Sequence, residues 1–128
     1  MQKSVLIADD SPTMRRTIAE ILIDDGWLVA GEAVDGREAV DLYKRLRPDA
    51  VTMDIAMPGT DGIEAMAEIR EHDPGAKVVV VSAMNQTSLI SKAIRTGAQD
   101  FIAKPFLADQ VRETMRIAAE AADDSFSL

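Results

Sequence analysis

The stretch Lys77-Val78-Val79-Val80-Val81-Ser82 decides the fold class. Valine is β-branched and favours extended backbone, and successive strand residues point to opposite faces. Unbroken valine therefore describes a strand buried on both sides, as in a parallel sheet covered by helices. Working outward, similar short runs occupy residues 4–8, 27–33, 50–53 and 99–103, so with residues 77–81 the chain offers five strands. Helical periodicity covers residues 13–25, 37–47, 62–71, 87–96 and 108–122. Ile18 and Leu22 mark one apolar stripe; Ala39, Leu42, Tyr43 and Leu46 mark another. Ser11-Pro12 offers an N-cap followed by a first-turn proline, and Gly26, Gly75 and Gly97 fall where helices should stop. Five β-α units in strict alternation, joined by right-handed crossovers, predict an α/β fold. It is a doubly wound, five-stranded parallel sheet of strand order 2-1-3-4-5, flavodoxin-like (βα)5.

The 128 residues include 14 Lys+Arg and 22 Asp+Glu, a formal charge of −8. That length suits one ordinary domain. At 47% hydrophobic the chain can bury a core, and at 28% charged it is neither disordered nor membrane-embedded. Residues 78–81 are as long as any of its apolar runs, against roughly 20 needed to cross a bilayer. Met1-Gln2-Lys3-Ser4 leads straight into the first strand, so no secretory signal and a cytoplasmic location are expected. The lack of cysteine removes disulfides, zinc ribbons and thiol catalysis, and the lone His72 cannot build a His-rich metal site. With a pI near 4.5, neither nucleic acid nor membrane is an expected partner. The organisation read here is a domain over residues 1–122 and a short tail over 123–128.

In an open α/β sheet, ligands bind beyond the carboxyl ends of the strands, at the switch point between strands 1 and 3. Strand 1 ends in Asp9-Asp10, strand 3 in Asp54, strand 4 in Ser82 and strand 5 in Lys104. Strand 2, the predicted edge, ends blandly at Ala33-Val34. Taken singly, Asp9-Asp10 could be a turn and cap, Ser82 a helix cap, and Lys104 a solvated charge before Pro105. Together on one rim they read as a site. Three carboxylates in one cleft repel each other and require a cation, and hard oxygen donors suit Mg2+. A carboxylate beside a metal, a hydroxyl and an ammonium suit phosphoryl transfer to that carboxylate. Asp54 is the expected acceptor, because adjacent Asp9 and Asp10 are better placed to share the ion. Neither G-x-G-x-x-G after strand 1 nor G-x-x-x-x-G-K-[ST] occurs. Two acids in the first loop would repel a flavin phosphate, and Ala56 stands where a haloacid dehalogenase-type phosphatase wants an acid.

Asp9-Asp10, the run Met53-Asp54-Ile55-Ala56-Met57-Pro58-Gly59-Thr60-Asp61-Gly62, Ser82-Ala83, and Asp100-Phe101-Ile102-Ala103-Lys104-Pro105-Phe106 carry a resemblance. Over almost the whole chain, the sequence resembles the receiver domain of two-component response regulators. The resemblance implies that Asp54 accepts a phosphoryl group from a histidine kinase. It implies Mg2+ held by Asp10, Asp54 and the Ala56 backbone carbonyl, with Asp9 mainly one step removed from the ion. It further implies that Ser82 and Lys104 contact the phosphoryl group and that Lys104-Pro105 is cis. Ser82-Ala83-Met84-Asn85-Gln86, with no output domain expected, most resembles the stand-alone chemotaxis regulators of CheY type. That subfamily implies a flagellar motor switch protein as partner.

The function so implied is a phosphorylation-controlled binding switch, not an enzyme turning over a metabolite. The acyl phosphate draws Ser82 inward, Phe101 fills the vacated space, and the face of helix 4, strand 5 and helix 5 changes its affinity for partners. Phe101 stands at the switch aromatic, where Tyr is also common, so its movement rests on packing alone. Ala56 and Met84 flank the acyl phosphate at positions often polar, and neither side chain can orient a hydrolytic water. Slow self-dephosphorylation and dependence on a partner phosphatase are expected, and Ala56→Asn with Met84→Glu should accelerate hydrolysis by about tenfold or more. A single-domain phosphoryl shuttle and a receiver fragment of a DNA-binding regulator are the alternatives; Asp123-Asp124 and the absence of a basic linker disfavour the second. Trp27 and most methionines read as packing, and 125–128 as a frayed end. Arg15 and Arg16 read as solvated, with kinase or phosphatase docking the minor option. Lys92, Arg95, Arg112 and Arg116 form either a basic face for an acidic peptide or scattered surface charge.

Overall fold

The computed structural model describes residues 2–57, 61–83 and 85–121. Its strands are β1 (Ser4–Ala8), β2 (Leu28–Ala33), β3 (Ala50–Asp54), β4 (Val78–Ala83) and β5 (Asp100–Lys104). Its helices are α1 (Pro12–Asp24), α2 (Gly36–Leu46), α3 (Gly62–His72), α4 (Thr87–Thr96) and α5 (Ala108–Glu120). All strand pairs are parallel and the order is β2-β1-β3-β4-β5, as the alternation predicts.

Strand periodicity divides the core in two. Val5, Ile7, Val79 and Val81 pack with Ile18 and Leu22 of α1 and with Val111 and Met115 of α5. Leu6, Val51, Met53, Val78 and Val80 pack with Val40 and Tyr43 of α2 and with Met66 and Ile69 of α3. The valines of β4 thus serve both faces, each fully buried side chain worth about 1.5–3 kcal/mol relative to exposure. Met53, Met57, Met66 and Met115 are buried, the packing role expected of them.

Helix starts follow from side-chain caps. Ser11 Oγ accepts from Met14 N–H at 3.2 Å, Asp35 Oδ1 from Glu38 N–H at 2.8 Å, and Asp61 Oδ1 from Glu64 N–H at 2.8 Å. Gly62 opens α3 directly against the end of β3. A Cβ built there would collide with the Asp54 carbonyl oxygen and lie 2.7 Å from Ile55 Cα, so glycine lets the helix start beside Asp54.

Some boundaries differ from the sequence reading. Asp54 and Lys104 are the last residues of β3 and β5 rather than the first beyond them. Trp27 precedes β2, buried, with its N–H donating back to the Leu22 carbonyl at 2.9 Å. Residues 58–60 of the long motif, Met84, residue 122 and the expected tail over 123–128 lie outside the described residues. The Lys104-Pro105 bond is cis, as the resemblance implies. Among the described residues no helix is long and apolar enough to cross a membrane.

Candidate functional site

Parallel pairing of Ala8 with Met53 brings the ends of β1 and β3 abreast, and with them Asp9-Asp10 and Asp54. Carboxylate oxygens of Asp9, Asp10 and Asp54 lie within 4.8 Å of one another. Asp9 and Asp54 are buried, at 1% and 6% exposure, while Asp10 is exposed. From the end of β5, Lys104 Nζ reaches Asp9 Oδ2 at 3.2 Å and Asp54 Oδ2 at 3.4 Å. Backbone holds the other oxygens: Ser11 N–H donates to Asp9 Oδ1 at 2.9 Å and Ala56 N–H to Asp54 Oδ1 at 3.0 Å. Both buried carboxylates are therefore fixed at both oxygens, as buried charge requires.

Burial is the largest influence on Asp9 and raises its pKa above the ordinary carboxylate value; the negative charge of Asp54 adds to the rise. The Ser11 N–H and the Lys104 ammonium oppose it without cancelling it. A lone ammonium leaves the three carboxylates with excess negative charge. The donor set is hard oxygen, and exposed Asp10 leaves an open side where an ion could keep water. Those are the preferences of Mg2+, so the residues present fit that ion.

Ser82 is buried, and its hydroxyl donates to Gln86 Oε1 at 2.5 Å. Ala56 is exposed in the loop past Asp54. Phe101 is 37% exposed and lines a surface groove with Pro105, Gln110 and Glu113. The structure thus gathers Asp9, Asp10, Asp54 and Lys104 tightly, engages Ser82 with Gln86, and sets Phe101 on the groove. Met84, the other residue expected to tune lifetime, lies outside the described residues.

Sequence reasoning missed two participants. Arg15, read as solvated, has a side chain only 14% exposed. Its Nη1 donates to the Asp9 carbonyl at 2.7 Å and its Nε to Glu32 Oε1 at 3.0 Å, clamping the peptide between Asp9 and Asp10. A signal existed: helical side chains lean toward the N-terminus, and Arg15 sits one turn past the Ser11 cap, near the end of β1. Gln86 is the other; it closes the run that resembles CheY-type regulators, but neither period nor composition marks its bond to Ser82. The basic residues of α5 are paired with acids. Arg112 meets Asp109 at 2.7 Å and Asp24 at 3.6 Å, and Arg116 meets Glu113 at 2.5 Å and Glu120 at 3.0 Å. Such pairing fits scattered surface charge better than a basic face.

A family model described as response regulator receiver domain matches residues 5–116. The chain belongs to that family. This receiver domain is 51% identical over 115 residues to the chemotaxis protein CheY of Thermotoga maritima, covering 90% of this chain and 96% of that protein. It is 48% identical over 115 residues to CheY of Bacillus subtilis, again covering 90% of this chain and 96% of the relative. Among solved structures, the CheX–CheY–BeF3–Mg2+ complex from Borrelia burgdorferi matches with a TM-score of 0.87 at 34% identity, covering 94% of this chain and 90% of that one. The receiver family and the flavodoxin-like fold expected from the sequence are both present.

Proposed function

We propose that this receiver domain is a phosphorylation-controlled switch in chemotaxis signalling, loaded on Asp54 by a histidine kinase. The observation that carries the reading is the rim where buried Asp54 lies against Lys104, Asp9 and Asp10. An Asp54 carboxylate oxygen attacks the phosphorus of a phosphohistidine in line. The new O–P bond forms as the P–N bond breaks, and the imidazole nitrogen leaves with the electron pair. Asp10, Asp54 and the Ala56 carbonyl would hold Mg2+, with Asp9 one step removed. When bound, the ion neutralises charge on the transferring phosphoryl oxygens. Lys104, already between Asp9 and Asp54, offers its ammonium to another of those oxygens, and the Ser82 hydroxyl donates to a third.

Ser82 then moves toward the phosphoryl group, Phe101 packs inward from its exposed position, and the face made by α4, β5 and α5 changes shape. Similarity to proteins named for chemotaxis supports a flagellar motor switch protein as output partner and a cytoplasmic site of action. A partner phosphatase would reset the switch; the domain assists its own phosphorylation and dephosphorylation and turns over no metabolite. Incubation with acetyl phosphate and Mg2+ should give a single phosphoryl adduct by intact mass. Asp54→Ala should give none, and an adduct retained on that variant would move the acceptor elsewhere. Beryllofluoride treatment should add a non-kinase partner in pull-downs, which a phosphoryl shuttle would not gain.

A further inference from the structure

Ser82 and Gln86 are joined across the turn between β4 and α4. The Ser82 hydroxyl donates to Gln86 Oε1 at 2.5 Å, with the Ala83 carbonyl a weaker acceptor at 3.4 Å. Ser82 is buried and Gln86 half-buried, so little water competes for this bond. Gln86 is also the N-cap residue of α4. Its backbone is tied in both directions: its N–H donates to the Ala83 carbonyl at 3.1 Å, and its carbonyl accepts from Ile90 N–H at 3.0 Å. An N-cap side chain ordinarily serves the first-turn N–H groups. Here it turns back to Ser82. The helix that follows is lightly anchored, with Ala93 its single buried residue against three or more in each other helix.

We propose that Gln86 is a positioning residue: a latch that holds the Ser82 hydroxyl on the α4 side and ties its orientation to the start of that helix. The latch rests on the reading of Ser82 as a donor to the phosphoryl group. A serine hydroxyl has one proton, so donation to Gln86 and donation to a phosphoryl oxygen on Asp54 exclude each other. Turning Ser82 to the rim leaves a half-buried amide oxygen without its donor, a state disfavoured unless the oxygen finds another. First-turn N–H groups of α4 are the donors an N-cap residue can reach. The latch therefore opposes activation while it holds, and once it opens it passes the change to α4.

The test is a double-mutant cycle read as apparent affinity for beryllofluoride at saturating Mg2+, followed by 19F NMR. Gln86→Ala removes the acceptor and should tighten binding by about three- to tenfold, the range of one net hydrogen bond. Gln86→Glu keeps an acceptor and should bring affinity back to the wild-type value or below. In a Ser82→Ala background both substitutions should lose their effect. No tightening in Gln86→Ala, or equal tightening with and without Ser82, overturns the latch. If the wild-type protein itself fails to bind beryllofluoride, the phosphoacceptor reading falls, and the latch with it.

Discussion

In the proposed switch, Ala56 is the residue expected to set phosphoryl lifetime. It is exposed just past Asp54, and its N–H already fixes Asp54 Oδ1. Hydrolysis of an aspartyl phosphate needs a water in line with the breaking O–P bond. A methyl group cannot orient that water, although its small size leaves the approach open. Orientation of a reactant is worth several kcal/mol, so the missing orientation outweighs the easy access. Loss of the phosphoryl group should be slow, and Ala56→Asn with Met84→Glu should speed it by about tenfold or more. The check is decay of the phosphorylated band after the donor is removed; an unchanged or lengthened half-life would show that access controls the reaction. Residues of this kind differ in how far sequence discloses them. Asp9, Asp10, Asp54 and Lys104 were legible because charge at successive strand ends of a parallel sheet must converge, whatever the rotamers. Gln86 and Arg15 were not, because the Ser82 bond and the clamp on the Asp9 carbonyl depend on where long side chains point.

Between elements, α2 and α3 are linked by Tyr43, whose buried hydroxyl donates to Asp73 Oδ2 at 2.8 Å just beyond the end of α3. Burial, then the hydrogen bond to Asp73 and its negative charge, hold the Tyr43 phenol above its ordinary pKa. The neutral form is therefore the one the fold favours. Its contribution is fully present below about pH 10, where the unfolded phenol titrates, and is lost as pH rises above that point toward the folded value. Tyr43→Phe should cost about 0.5–1.5 kcal/mol near neutrality. In urea unfolding, that difference should shrink as pH rises from about 10 to 11; a constant difference would mean the phenol ionises alike in both states. Element limits were legible where punctuation was physical: α4 stops at Gly97, whose φ is 119°, at the residue the sequence indicates. They were misread where composition misleads. Asp54 and Lys104 look like loop residues, yet the ladder pairs them with Val81 and Ala83. Trp27 looks like a strand residue, yet its N–H closes the turn after α1.

Across the whole molecule, the rim joins positions as far apart as Asp9 and Lys104, separated by 95 residues. Burial of β1, β3 and β4 on both faces made the strand order legible, and that order alone sets these residues together. An unfolded chain holds the same carboxylates scattered, so an ion shared by β1 and β3 binds the native state and stabilises it by RT ln(1 + [L]/Kd). Millimolar Mg2+ should raise stability in urea unfolding, by about 2.7 kcal/mol at a hundred times Kd. Sodium chloride at matched ionic strength should do less, because screening reaches exposed Asp10 but barely reaches buried Asp9 and Asp54. Asp10→Asn separates coordination from repulsion. It removes one of the repelling charges, so in EDTA the variant should be at least as stable as the wild type. It also removes a proposed ion ligand, so in Mg2+ it should lose most of the increment. Loss of the Mg2+ increment without loss of stability in EDTA is what a shared ion site requires. An increment identical in both proteins would take Asp10 off the ion, and no increment in either would show that Asp9, Asp10 and Asp54 do not share one.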